Sequence, residues 1–296
     1  MHGRASAPAA GTIVNALATG CGAAFAIDRE TAATVELHDE GGVTGEIDGA
    51  PDADTRLIER CVELVIAEYG DGEGGHVHTE SEVPMAAGLK SSSAAANATV
   101  LATLDALGVA IDDGEGHTPD GSTVAVSRER AARLGVRAAR EAGVTVTGAF
   151  DDASASMLGG VTVTDNTSDE LLARETIAWD VAVWTPDERA FSADADTARC
   201  ERVAPVVRVA TDLALAGEYE RAMTVNGLAF CAALDFPTEP AITALGSVEG
   251  VSLSGTGPSY VAVGDRSGVE KVQEAWDEYE GHTWLTTTRT DGAWTG

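Results

Sequence analysis

Lysine is almost missing from this 296-residue chain: Lys90 and Lys271 are the only two, and arginine supplies the other 17 basic side chains. Against these stand 48 acidic residues, for a formal net charge of −29. A surface of that sign repels the phosphate backbone of nucleic acid, which excludes a nucleic-acid-binding role. Cysteine is scarce too, at 21, 61, 200 and 231 with no Cys-x-x-Cys spacing. The four are read as reduced and structural rather than as a disulfide framework or a zinc site. His76 and His78 form the one close histidine pair, and without a third ligand nearby they are not read as a metal centre. No apolar run reaches the roughly 18 residues of a membrane span, and the opening Met1 to Ser6 has no apolar secretory core. A cytoplasmic protein is expected.

What is present is best read from Pro84-Met85-Ala86-Ala87-Gly88-Leu89-Lys90-Ser91-Ser92-Ser93-Ala94. An extended segment, His76 to Val83, runs into Pro84, which removes a backbone donor and ends any ladder. Beyond it a helix is predicted, with Val100, Leu101, Leu104 and Leu107 on one face and alanines that permit close packing. The free amides of its first turn and the positive end of its dipole would converge on whatever sits over Ser91 to Ser93, and a phosphate suits that place. One serine would suffice for an ordinary cap, and three are present. Gly88 would let the backbone approach the ligand. Where nearly every other cation is arginine, Lys90 at this helix mouth reads as a compact point charge for phosphate. A Walker loop is excluded, because it needs a glycine directly before its Lys-Ser/Thr and Leu89 stands between Gly88 and Lys90. The dinucleotide fingerprint also fails for want of its third glycine after Gly20-Cys21-Gly22 and Gly255-Thr256-Gly257.

The serine segment resembles the second signature of the GHMP small-molecule kinases, the family of galactokinase, homoserine kinase and mevalonate kinase. Ser252 to Ser259, with Gly255-Thr256-Gly257 at its centre, resembles the third signature. The N-terminal Ala9 to Asp28 resembles the opening strands, without the family's usual Pro-Gly. Gly11 to Gly20, Lys90, Thr147 to Ala153 and Ser254 to Pro258 are similar to the branch of the family that acts on shikimate. The resemblance implies an α+β, two-domain GHMP kinase fold: an N-terminal domain with a left-handed βαβ crossover, residues 1–165, and a ferredoxin-like C-terminal domain, residues 166–296. It implies ATP and Mg2+ as cofactors and shikimate as the small-molecule substrate, with homoserine, mevalonate or a non-catalytic ligand-binding role as alternatives. Nucleotide would be held by 84–94 with Gly255, Thr256 and Gly257.

Phosphoryl transfer needs charge neutralisation and a carboxylate near the acceptor hydroxyl. Asp151 and Asp152 follow a strand-like Val144 to Thr147 and a permissive Gly148, at a helix start. The family's matching segment carries the catalytic carboxylate, which implies that role for Asp151, with Asp152 second and Lys90 assisting. Two adjacent acids cannot both be comfortable in a dry site, so one should pair with Lys90, magnesium or an arginine. Ser92 and Ser93 with Glu141 are the expected magnesium ligands. Arg189 is the candidate for the substrate carboxylate.

The first half should mix strands near Ile13, Phe25 and Thr34 to Leu37 with helices over Asp52 to Tyr69 and Ser127 to Glu141. A loop is expected at Asp112 to Ser122 and a hinge at Thr164 to Glu170. A strand at Ile177 to Trp184 and helices over Val203 to Leu215 and Glu218 to Leu234 should follow.

The spread of acid along the whole chain, with so little lysine, marks a protein suited to brine. At molar salt the Debye length is about 3 Å and the self-repulsion is screened; at 0.1 M it is about 10 Å and works against the fold. The melting temperature should therefore rise from dilute buffer to molar KCl, and equal values in the two would refute this.

Overall fold

The computed structural model describes residues 1–39, 41–83, 87–112, 125–187 and 195–296. Pro84, Met85, Ala86 and Arg189 lie outside the described residues, as does most of the loop expected at Asp112 to Ser122. The chain opens with two long antiparallel strands, β1 (His2–Val14) and β2 (Cys21–His38). Early in β1, His2, Gly3 and Arg4 alternate between solvent and core, whereas Ala5 to Val14 is buried on both sides, as in a sheet covered on both faces. The separate strands expected near Phe25 and at Thr34 to Leu37 are one continuous strand. Its free edge is shared: Cys21 to Phe25 pair with β7 (Val161–Asp165), and Thr31 to His38 pair with β4 (Gly74–Ser81).

A parallel βαβ unit, β3 (Val43–Ile47), α1 (Arg56–Tyr69) and β4, extends one side of this sheet. β8 (Glu170–Glu175) extends the other, and β13 (Trp294–Thr295) returns from the C-terminus to pair with β1. The polar stretch expected to act as a hinge is instead the turn of the β7–β8 hairpin, with Asp169 at φ 52°. The first sheet thus continues past residue 165, and passage to the second sheet falls between Glu175 and Asp180.

α2 (Ser91–Ala106) runs through the middle of the first layer and packs on β1, β2, α1, α3 (Arg128–Ala142) and α4 (Phe150–Leu158). Every residue from Ala96 to Leu104 is buried, so the alanine face is as enclosed as the leucine face. α3 is capped by Ser127, which accepts from the Arg130 amide, and ends at Gly143 with φ 71°. A short parallel pair, β5 (Ala110–Asp112) and β6 (Ala125–Ser127), lies between α2 and α3.

The second sheet holds β9 (Asp180–Thr185), β10 (Gly250–Leu253), β11 (Tyr260–Gly264) and β12 (His282–Thr287) in the order β10-β11-β9-β12, all antiparallel. Its helices are α5 (Thr197–Arg202), α6 (Ala204–Leu215), α7 (Tyr219–Leu234), α8 (Glu239–Ala244) and α9 (Arg266–Trp276). This strand order is the ferredoxin-like arrangement anticipated from the sequence.

Val144 to Thr147 forms no strand. The Val144 amide donates back to the Ala139 carbonyl at the end of α3 (3.1 Å), and Thr145 Oγ1 and Thr147 Oγ1 accept from the Gly148 and Ala149 amides, which turns the chain into α4. The two layers meet at Phe25, whose ring stands edge-on to Trp179 at 5.5 Å between centroids. Phe25 is fully buried beside Gly11, which has no side chain to collide with the ring. Phe25→Ala should destabilise the protein by about 3–5 kcal/mol, read from denaturant unfolding in molar KCl.

Candidate active site

Gly88 lies against the loop after β10. With φ 78° it can adopt a backbone closed to most residues, and a Cβ there would stand 2.3 Å from the carbonyl oxygen of Ser254 and 2.8 Å from that of Gly257. Contact is fastened by hydrogen bonds from Ser254 Oγ to the Gly88 carbonyl (2.8 Å) and from the Gly255 amide to Thr12 Oγ1 (2.8 Å). Asn15 Nδ2 donates to the Gly255 carbonyl (2.8 Å), while the Asn15 amide donates to Asn226 Oδ1 (2.9 Å). The segments predicted to bind nucleotide, Ala87 to Ala94 and Gly255 to Gly257, are therefore brought together. Thr12, Asn15, Asn226 and Ser254, which tie them, were not singled out in the sequence; single polar residues at strand ends carry no spacing that marks them.

Two helices begin at this place, and each is preceded by a residue with left-handed backbone: Lys90 (φ 64°) before α2 and Ala149 (φ 54°) before α4. Neither start has a side-chain cap. For a residue bearing a side chain that backbone costs about 1–3 kcal/mol, and such strain gathers at functional sites. It leaves the first amides of α2, over Ser91, Ser92 and Ser93, turned toward a cavity of about 600 Å³. Lys90, the three serines, Ala149, Asp152, Gly255 and Thr256 line the cavity, and Ile47, Leu57, Val136 and Val144 add apolar surface to it. Ala94, Leu89 and Ala87 are buried behind it.

Lys90 and Asp152 join the two helix starts. Lys90 Nζ donates to Asp152 Oδ2 at 2.9 Å and lies 2.8 Å from Oδ1, with both side chains about nine-tenths buried. Burial first, and then the neighbouring Asp151, push the Asp152 carboxyl up to about 7 against the pull of the Lys90 ammonium. Asp151 turns the other way. Its Oδ1 accepts from Asn166 Nδ2 at 2.7 Å, and a Cβ at Gly22 would stand 2.4 Å from its Oδ2.

Glu141 is not brought to the cavity. It lies on the outer side of α3, accepting from Arg60 at 2.6 Å and Arg137 at 2.8 Å, and those guanidiniums hold its carboxyl below the ordinary value. Two carboxylates line the cavity instead, Asp54 and Asp152. The Asp152 carboxylate, ion-paired with Lys90, and the hydroxyls of Ser92 and Ser93, which line the same cavity, form a set of hard oxygen donors suited to a divalent ion that also holds phosphate. Among the described residues, no group of three or more acidic, histidine or cysteine side chains could bind a metal unaided. The cysteines are unpaired, as read from the sequence, and no helix among the described residues is long and apolar enough to cross a membrane.

Solved structures of small-molecule kinases share this fold. Homoserine kinase from Cytophaga hutchinsonii superposes with a TM-score of 0.74 at 16% identity, covering 100% of this chain and 97% of that one. Mevalonate kinase from Methanococcus jannaschii gives 0.72 at 12% identity, covering 97% and 98%. Residues 56–160 match the family model of the GHMP kinases N terminal domain. The fold is that of a GHMP kinase. More specifically, the chain is 66% identical to the shikimate kinase of Halobacterium salinarum over 99% of both chains, and 50% identical to that of Methanosarcina mazei over 99% and 96%. It belongs to this GHMP-type shikimate kinase family.

A carboxyl whose value is raised from 3.8 to about 7 on folding favours the folded state fully below the lower value and loses that contribution as pH climbs through the upper one. Melting temperatures of the wild type and Asp152→Asn, followed from about pH 4 to about pH 8 in molar KCl, should thus shift steadily in favour of the variant and level off above about 7. A pH-independent difference would show that Asp152 is not so perturbed.

Proposed function

We propose that this protein transfers the γ-phosphoryl group of ATP to a hydroxyl of shikimate, giving shikimate 3-phosphate and ADP. The observation that carries the reading is the convergence of two uncapped helix starts and Lys90 on one cavity, in a chain 66% identical to a shikimate kinase along its whole length. Cavities of about 300–1,000 Å³ suit small-molecule ligands of nucleotide size. The amides and hydroxyls of Ser91 to Ser93 would hold the phosphates, and the apolar surface at Ile47, Leu57 and Val136 would take the base.

On this reading Lys90 exchanges one anion for another. Its ammonium rests on Asp152 and would swing a short distance to the β- and γ-phosphates, keeping a counter-charge throughout. Asp152, with Ser92 or Ser93, is the group that would hold Mg2+, which when bound neutralises charge on the phosphate oxygens. Asp151 is the proton acceptor. As the acceptor oxygen forms its bond to the γ-phosphorus, the bond to the β–γ bridging oxygen breaks, the hydroxyl proton passes to Asp151 and the electron pair leaves with ADP. The global charge of −29 does not prevent ATP from entering, because at molar ionic strength distant carboxylates are screened while the helix amides and Lys90 touch the phosphates.

ADP release with MgATP in molar KCl, offering shikimate, homoserine and mevalonate separately, tests the assignment. Turnover is expected with shikimate alone; turnover confined to another acceptor rejects it, and nucleotide binding without ADP release from any acceptor favours a binding protein. Lys90→Met and Asp151→Asn should each lower kcat by about 10²–10⁴-fold.

A further inference from the structure

The side chain of Asn166 is buried at the end of β7 and makes no contact with the cavity. Every polar atom of its amide is used around Asp151. Nδ2 donates to Asp151 Oδ1 at 2.7 Å, and Oδ1 accepts from the backbone amide of Asp151 at 3.1 Å and from Thr164 Oγ1 at 2.7 Å. The direction of the amide is not free. A backbone N–H can only donate, so the atom facing the Asp151 amide must be the oxygen, which forces the NH2 group onto the carboxylate.

We infer that Asn166 is a positioning residue for phosphoryl transfer: it clamps Asp151 through main chain and side chain together, holding Oδ1 while Oδ2 lies against Gly22. Gly22 supplies the opposite wall. Oδ2 occupies the space that a Cβ at residue 22 would fill, at 2.4 Å, so the carboxylate is held between an amide and a glycine notch. Thr164 completes the clamp from behind by donating to the Asn166 oxygen. The Asp151 carbonyl is fixed as well, accepting from Ser154 Oγ at 3.1 Å and Thr162 Oγ1 at 3.3 Å. Among the described residues no cation pairs with Asp151; Lys90 is committed to Asp152. The alignment of Asp151 therefore depends on neutral donors, which fix direction without drawing the carboxylate toward a charge. A base displaced by an ångström from its proton loses much of its effect, while ground-state binding at the cavity is untouched.

The inference rests on Asp151 acting as the proton acceptor, and the experiment separates the two ideas. The steady-state parameters of Asp151→Asn, Asn166→Ala and Thr164→Val are measured in molar KCl with MgATP and shikimate, alongside melting curves. Asn166→Ala should lower kcat by about 10–100-fold with KM for ATP and for the acceptor within about twofold, and Thr164→Val should show a smaller loss of the same kind. If Asn166→Ala does not fold, Thr164→Val, which removes one hydroxyl donor placed 2.7 Å from Asn166 Oδ1 and 3.5 Å from the Gly22 carbonyl, carries the test. Full turnover by Asp151→Asn overturns the proton-acceptor reading and the inference with it. An inactive Asp151→Asn beside folded Asn166 and Thr164 variants with native kcat overturns the inference alone. So does a rise in KM at unchanged kcat, because a residue that merely supports the fold or the binding surface has no reason to act on kcat selectively.

Discussion

The ion pair between Lys90 and Asp152 is the contact on which the site depends. Each partner stands at the opening of a buried helix, and without the pair two electropositive helix ends would face one another across an empty space. Taking two charges out of water costs several kcal/mol per ion, so a buried pair of this kind is seldom kept for stability alone. It is understandable on the proposed function, in which the cavity holds a polyanion: the carboxylate would keep the place of a phosphate, with the lysine already positioned. The raised value of Asp152 expresses the same compromise, since the burial that serves nucleotide binding also disfavours its charge.

The surrounding structure holds this contact in place. α2 is enclosed on every side from Ala96 to Leu104, so its first turn is fixed by its own packed shaft. The loop at Gly88 is pressed on the loop at Gly255 closely enough that the Gly88 backbone has no room for another atom, and a Cβ at Gly255 would stand 3.3 Å from the Gly88 carbonyl oxygen. Thr12 and Asn15 then pin that second loop to the end of β1. The left-handed backbone at Lys90 and Ala149 follows from these constraints: each helix must start abruptly, with its amides facing inward and no side chain folded across them.

Much of the fold was legible because it rests on local patterns. The serine run, the alanine-rich helix after it and the helices near Val203 to Leu215 and Glu218 to Leu234 stand where periodicity and caps placed them. The errors arose where side chains competed with the main chain or where strands joined. Thr145 and Thr147 turned an apparent strand into a loop, and a polar stretch read as a hinge proved to be a hairpin turn. In the site, Lys90, Asp151 and Asp152 were visible as unusual residues in a recognisable setting. Glu141 looked suitable only because of its distance along the chain, and two arginines hold it on the far surface. Asn166 was invisible, because its importance lies in a partner 15 residues away and in no repeated spacing.

β2 passes beside both chemical ends of the molecule. Gly22 borders Asp151, and Thr31, nine positions along the same strand and so about 30 Å away if fully extended, belongs to the cavity wall. A single hydrogen-bonded span, locked to β1 on one edge and to β7 and β4 on the other, thus sets the separation between the Asp151 carboxylate and the cavity wall at Thr31. Such a rigid ruler keeps these two places at one spacing whatever the loops between them do.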